Sequence, residues 1–156
     1  MSYQQARQLP LWPPFPVEQI ESEIQAGLHF SSDFADGAMA GYFSVALSDE
    51  IIWAGRERGD AIYIHRMCVN PMRKGSNLTP AVLAWAKGYA LSLGRTFVRM
   101  DTWADNEKLV KYYIKCGFQY VGDRQLSSAP GLPAHYSHTR LALFQNPAGE
   151  SDGCGA

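Results

Sequence analysis

The chain has 156 residues, enough for one domain with a proper core and too few for two comfortable ones. Hydrophobic residues make up 46% and charged residues 19%, the balance of an ordinary soluble globular domain. The net charge of -1 gives no electrostatic case for nucleic acid or an anionic membrane as partner.

Residues 1–15 carry Pro10, Pro13 and Pro14 among the bulky Leu11, Trp12 and Phe15, which predicts an extended N-terminal arm. Val17, Ile20 and Ile24 recur at helical spacing and Gly27 follows as a stop, so a short helix is expected from about Val17 to Ala26. Leu28 to Phe34 and Met39 to Leu47 read as strands, with Asp36-Gly37 as the hairpin turn between them. Ser48 to Asp60 is a polar loop with an apolar island at Ile51-Ile52-Trp53. Ala61 to Val69 is a strand whose near-continuous apolar character implies burial on both faces, and Pro71 ends it.

A helix is expected from about Pro80 to Leu93, with Val82, Ala86, Tyr89, Ala90 and Leu93 as its buried stripe and Gly94 as its stop. Thr79 fits the N-cap, with Pro80 at the first helical position. Thr96 to Thr102 is a strand. Asn106 caps a further helix, Glu107 complements its dipole, and Gly117 ends it. Phe118 to Val121 and His138 to Phe144 complete the strands, with a Pro/Gly loop from Ser127 to Pro133 between them. Residues 146–156 read as a disordered tail, leaving 16–145 as the folded domain. The order of elements is that of an α/β protein with a mixed sheet and helices on both faces.

No apolar run approaches the roughly 18 residues of a membrane helix. The N-terminus lacks the apolar segment of a signal peptide. Cys68, Cys116 and Cys154 show no metal-ligand spacing, and His135 and His138 have no carboxylate beside them in the sequence. A cytoplasmic protein without a metal is expected.

The turn Lys74-Gly75-Ser76-Asn77-Leu78-Thr79 feeds backbone N–H groups into a helix start. Such a start carries unpaired donors and a partial positive charge, so anions collect there. The helix after Asn106 brings Tyr112 and Tyr113 towards whatever that cradle holds. A phosphate-bearing cosubstrate and a hydroxyl acid are the chemistry this pattern suggests.

From Ala61 to Gly122 the chain resembles the GNAT superfamily of acetyl-coenzyme A (acetyl-CoA)-dependent N-acetyltransferases, with weaker likeness back to about Gln8 and forward to Phe144. The residues that carry it are Ile64-His65-Arg66-Met67-Cys68-Val69-Asn70-Pro71, then Arg99-Met100-Asp101-Thr102. The strongest piece is Asn106, six residues, Tyr113, three residues, then Gly117-Phe118. The family's phosphate turn is Gln or Arg, two residues, Gly, one residue, then Gly or Ala. Here Lys74 takes the basic position, Asn77 the first Gly and Thr79 the second. Asn tolerates positive φ next best to Gly, and Thr does not, so Thr79 is expected at negative φ. The family's usual first strand and helix have no counterpart in the chain as given. The expectation is that a second copy, in a homodimer, or the arm of residues 1–15 covers the sheet edge.

The resemblance implies that the backbone of Met67, Cys68 and Val69 pairs with the pantetheine amides of acetyl-CoA. It implies that the turn from Lys74 to Thr79 holds the pyrophosphate and that Asn106 lies near the pantetheine arm. Tyr113 is the expected general acid, protonating the departing thiolate when a primary amine of a small molecule or peptide attacks the thioester. Alternatively its ring is simply core. Asp101, Glu50 and His65 are the candidates for general base. Asp101 ends a strand where the family's cleft opens, but a cap or a salt bridge to Arg99 or Arg66 would make it purely structural. Trp12, Phe43, Trp53 and Trp103 are either an acceptor pocket or core packing. The competing functions are a catalytically weak or inactive module that binds acyl-CoA and an interaction protein with no cofactor.

Overall fold

The computed structural model describes residues 15–73, 75, 77–127 and 138–149. Its elements are α1 (Val17–Gln25), β1 (His29–Asp33), β2 (Met39–Ala46), β3 (Ala61–Val69), α2 (Leu78–Ser92), β4 (Phe97–Trp103), α3 (Glu107–Lys115), β5 (Tyr120–Gln125) and β6 (Arg140–Pro147). The six strands form one sheet in the order β1-β2-β3-β4-β6-β5. β3 and β4 are parallel, because α2 carries the chain back across the sheet between them, and the other neighbours are antiparallel. The hairpin turn falls where Asp36-Gly37 predicts it, with Gly37 at φ +80° and the Asp36 carboxylate accepting from the Ala38 N–H at 3.0 Å. Among the described residues no helix is long and apolar enough to cross a membrane.

Strand alternation sends two sets of side chains to two cores. Phe43, Val45, Ile62, Ile64, Val98, Met100, Ala142 and Phe144 meet Val82, Leu83, Ala86 and Ala90 of α2, with Val110 and Tyr113 of α3 packed alongside. On the other face Ala61, Tyr63, Leu141 and Leu143 meet Ile52 and Trp53, so the apolar island of the 48–60 loop closes this second core. Near that face α1 sends Glu23 to His29 and Arg66.

Several boundaries differ from expectation for local reasons. β3 is buried on both faces only over Ala61–Ile64, and Cys68 and Val69 are exposed. α2 begins at Leu78, with Asn77 and not Thr79 at the N-cap. In its buried stripe Leu83 takes the place of the exposed Leu93. β5 starts at Tyr120, later than Phe118, because the Phe118 N–H closes the end of α3 on the Tyr113 carbonyl. β6 runs on to Pro147, so the ordered chain extends beyond 145. Asn146 is buried there, accepting from the Gln119 N–H and donating to the Gly117 carbonyl. The expected arm lies outside the described residues up to 14, and the expected tail lies outside them from 150 onward.

Candidate active site

The ladder between β3 and β4 joins Ala61 to Phe97 and ends with Ile64 opposite Met100, although both strands continue. Two parallel strands that part in mid-course open a cleft. Its walls are His65–Val69 on one side and Asp101–Trp103 on the other. β3 still pairs with β2 here, through Cys68 opposite Tyr42 and Val69 opposite Gly41. Its other edge faces the cleft, where an extended amide-bearing chain can meet backbone donors and acceptors. Met67, Cys68 and Val69 lie on that edge. Gly41 presses on the same segment from below: a Cβ there would stand 2.3 Å from Leu78 Cδ2 and 2.7 Å from the Cys68 carbonyl oxygen. This close approach of β2, β3 and α2 is a requirement that sequence reasoning misses.

The start of α2 lies beside the end of β3. Gly75 and Asn77 both take positive φ, +85° and +53°, and Asn77 makes no side-chain cap. No acidic residue occupies the first turn of this 15-residue helix. The positive end of the helix dipole is therefore neither capped by Asn77 nor neutralised by a first-turn carboxylate. Thr79 has negative φ, as expected, but its side chain turns inward, where its Oγ1 accepts from the Tyr112 hydroxyl at 3.0 Å. Its hydroxyl is thus engaged by α3, and its backbone N–H is one of the donors that a helix start leaves without an intrahelical partner. Lys74 and Ser76 of the expected cradle lie outside the described residues.

Asn106 caps α3, accepting from the Leu109 N–H at 3.2 Å. This cap aims Tyr113 into the first core, where its ring meets Phe118 and Phe144 with centroids 5.6 and 5.9 Å away. Burial, together with Tyr112, Cys116, Cys68 and Asp101 nearby, pushes the Tyr113 hydroxyl up to about 12. It is a proton donor at neutral pH. Cys116 is half-buried beside it.

Asp101 follows the last β3–β4 pair on one strand, and His65 follows it on the other. Alternation turns both to the second face, where Asp49 meets them, and one ligating atom of each of the three lies within 4.8 Å of the others. His65 Nε2 is 3.5 Å from an Asp49 carboxylate oxygen, and the other Asp49 oxygen accepts from the Ile52 N–H at 3.0 Å. Burial lowers the His65 pKa against the pull of Asp49, and burial raises that of Asp49. Burial, with Asp49 adding to it, lifts the Asp101 carboxyl to about 7. The set is compact enough to grip a cation or to pass a proton, and a carboxyl poised near neutrality suits the proton.

Neither arginine expected as a partner of Asp101 is paired with it. Arg99 pairs with Asp60 at 3.2 Å and donates to Tyr63 Oη and Gln145 Oε1, while Arg66 pairs with Glu23. Glu50 is exposed. Asp49 is brought in by the loop that closes the second core. Trp53 and Phe43 are core residues, Trp103 packs beside the second core, and Trp12 lies outside the described residues.

Residues 2–118 match the family model described as acetyltransferase (GNAT) family. A curated relative, an uncharacterized N-acetyltransferase, YesJ, from Bacillus subtilis strain 168, is 30% identical over 74 residues. The match covers 47% of this chain and 41% of that protein, so the chain spans about two fifths of its relative's length. A GNAT-family acetyltransferase structure from Listeria monocytogenes superposes with a TM-score of 0.66 at 22% identity, covering 93% of this chain and 81% of that one. Spermidine N-acetyltransferase from Vibrio cholerae, solved with CoA and spermine, gives 0.58 at 15% identity, with coverages of 85% and 73%. At these identities the structures speak for the fold.

Proposed function

The chain belongs to the acetyltransferase (GNAT) family, and we propose that it transfers an acetyl group from acetyl-CoA to a primary amine of a small molecule or peptide by direct attack. The observation that carries this reading is the parting of β3 and β4 after the Ile64–Met100 pair, with Asp101 the next residue on one wall. The cofactor's pantetheine lies along Met67, Cys68 and Val69. Its pyrophosphate sits over Lys74, Gly75, Ser76, Asn77, Leu78 and the Thr79 N–H, with Asn106 near the pantetheine arm. The acceptor amine enters from the second face. Asp101, with His65 and Asp49 behind it, takes the amine's proton as nitrogen bonds to the thioester carbon. As the C–S bond breaks, the Tyr113 hydroxyl gives its proton to the departing sulfur. A free thiol has a pKa of roughly 8.5, so this transfer assists the step without being indispensable.

A module that keeps the fold without turnover draws its support from the two substituted glycines. Asn77 adopts the left-handed conformation a glycine would take, and the Thr79 side chain points away from the helix start. Both observations support the reading in which the turn still holds a pyrophosphate. Calorimetric titration with acetyl-CoA followed by thiol release with a panel of amines tests the proposal. Micromolar binding and amine-dependent release support it. Binding without release with any amine leaves the module without turnover, and no binding up to millimolar removes both.

A further inference from the structure

β3 contains a bulge that changes which way its end faces. Tyr42 pairs with Cys68 and Ser44 with His65, so two steps along β2 match three along β3. The extra residue is accommodated at Arg66, whose φ is +54°. Before it, Ile62 and Ile64 face the first core while Ala61 and Tyr63 face the second. After it, Met67 packs against the first core, the face that unbroken alternation would deny to an odd-numbered residue. Without the bulge, the segment that faces the cleft would be turned over.

A left-handed conformation is unfavourable for a residue with a Cβ and persists only where surroundings enforce it. Four groups enforce it here. Both Glu23 carboxylate oxygens accept from the Arg66 guanidinium, one of them at 3.3 Å. The guanidinium lies over the Phe15 ring, 4.3 Å from its centroid. His29 Nε2 meets Glu23 at 2.7 Å, and His29 Nδ1 meets the Tyr42 hydroxyl. Tyr42 belongs to the pair that closes the bulge, so the chain Arg66–Glu23–His29–Tyr42 returns to the strand it started beside. The His29 side chain is buried and those of Arg66 and Glu23 are largely so.

We propose that Glu23, His29 and Tyr42 are positioning residues that clamp Arg66 in the left-handed conformation, so that α1 sets the face and register of the acetyl-CoA-binding edge Met67–Val69. The inference rests on the function proposed above in one respect only, the identity of the ligand on that edge.

The test uses four variants of the full chain: Arg66→Ala, Arg66→Gly, Glu23→Gln, and Glu23→Gln combined with Arg66→Gly. Glycine takes positive φ without a clamp and alanine does not. Each protein is titrated with acetyl-CoA, and the backbone NOEs joining Tyr42 to Cys68 are recorded without ligand. Arg66→Ala and Glu23→Gln lose those NOEs and weaken binding about tenfold, the scale of one disfavoured conformation. Arg66→Gly keeps both, and adding Glu23→Gln to it costs nothing more. Glycine as weak as alanine overturns the proposal, since the guanidinium itself would then be what counts. Wild-type binding and NOEs in Arg66→Ala or Glu23→Gln overturn it too. If Arg66→Ala does not fold, Glu23→Gln and Arg66→Gly carry the comparison. If the wild-type chain binds no acetyl-CoA, the proposed function fails, while the NOEs still decide the clamp.

Discussion

Asp101→Asn is expected to make the protein more stable and less active at once. Burial, with Asp49 adding to it, raises this carboxyl from its ordinary 3.8 to about 7. At about 1.4 kcal/mol per unit, the charged form costs the folded state about 4 kcal/mol once the pH exceeds 7. Because the pKa is raised by folding, the native state binds more protons than the unfolded chain between pH 4 and 7, and stability falls as pH rises through that window. Asparagine cannot ionise, but its amide is also desolvated, which leaves a net gain of about 1–3 kcal/mol. For a chain of this size that is about 3–8 °C in Tm. Denaturation of both proteins at pH 4 and pH 8 measures it: the difference is absent at pH 4 and complete at pH 8. In the transfer assay kcat/KM drops about a hundredfold or more, and the acid limb near pH 7 disappears. An Asn variant no more stable than wild type at pH 8 refutes the electrostatic reasoning. A stabilised variant with full activity refutes the base assignment and moves it to His65.

Tyr113→Phe lowers kcat about tenfold to a hundredfold while the acetyl-CoA dissociation constant stays within twofold; unchanged turnover removes Tyr113 as the acid. Gly41→Ala forces a Cβ into the Cys68 carbonyl, and unlike the end of the Leu78 side chain that backbone atom yields poorly. A loss of about 1–3 kcal/mol in chemical denaturation is expected, together with weaker acetyl-CoA binding. Asn106→Ala removes the α3 cap and costs about 1 kcal/mol, read as a Tm lower by about 2–4 °C. Burial works against the Glu23 carboxylate, but hydrogen bonds from Arg66, His29 and Gln19 outweigh it and hold the pKa at about 2, below the ordinary 4.5. Its contribution is present above pH 4.5 and fades as the pH falls towards 2, so the denaturation midpoints of wild type and Glu23→Gln converge across that interval.

What could be read from residues alone was the chemistry that acts within a few positions. Asn106 accepts from an N–H three residues on, Gly117 takes the positive φ that stops α3, and Asn77 takes the left-handed conformation that its place in the turn demands. Thr79 satisfied the same local rule for a cap, with proline after it, yet the helix starts one turn-residue ahead of it. A hydroxyl 33 positions away, on Tyr112, claims its Oγ1, and Asn77 is the better host for the bend. The bulge in β3 was hidden because apolar residues stand on both sides of it, so the alternation that would reveal a change of face is not written in the pattern.

Asp101 shows most clearly where local reading stops. The sequence offers it two arginines, and whether it is a structural ion or a base depends on where those arginines go. Arg99 is taken by Asp60 and Arg66 by Glu23, the latter from 43 positions away. Neither pairing leaves Asp101 a cation among these arginines, and it faces a second carboxylate that a distant loop has delivered. The same ion pair that spares Asp101 from Arg66 also holds Arg66 in its left-handed turn. On the clamp proposed above, one contact from α1 shapes the edge Met67–Val69 and at the same time engages a guanidinium that would lower the Asp101 pKa if it came beside it. Breaking it in Glu23→Gln should therefore move the acid limb of kcat/KM as well as acetyl-CoA affinity. A freed Arg66 that swings towards Asp101 shifts the limb to lower pH.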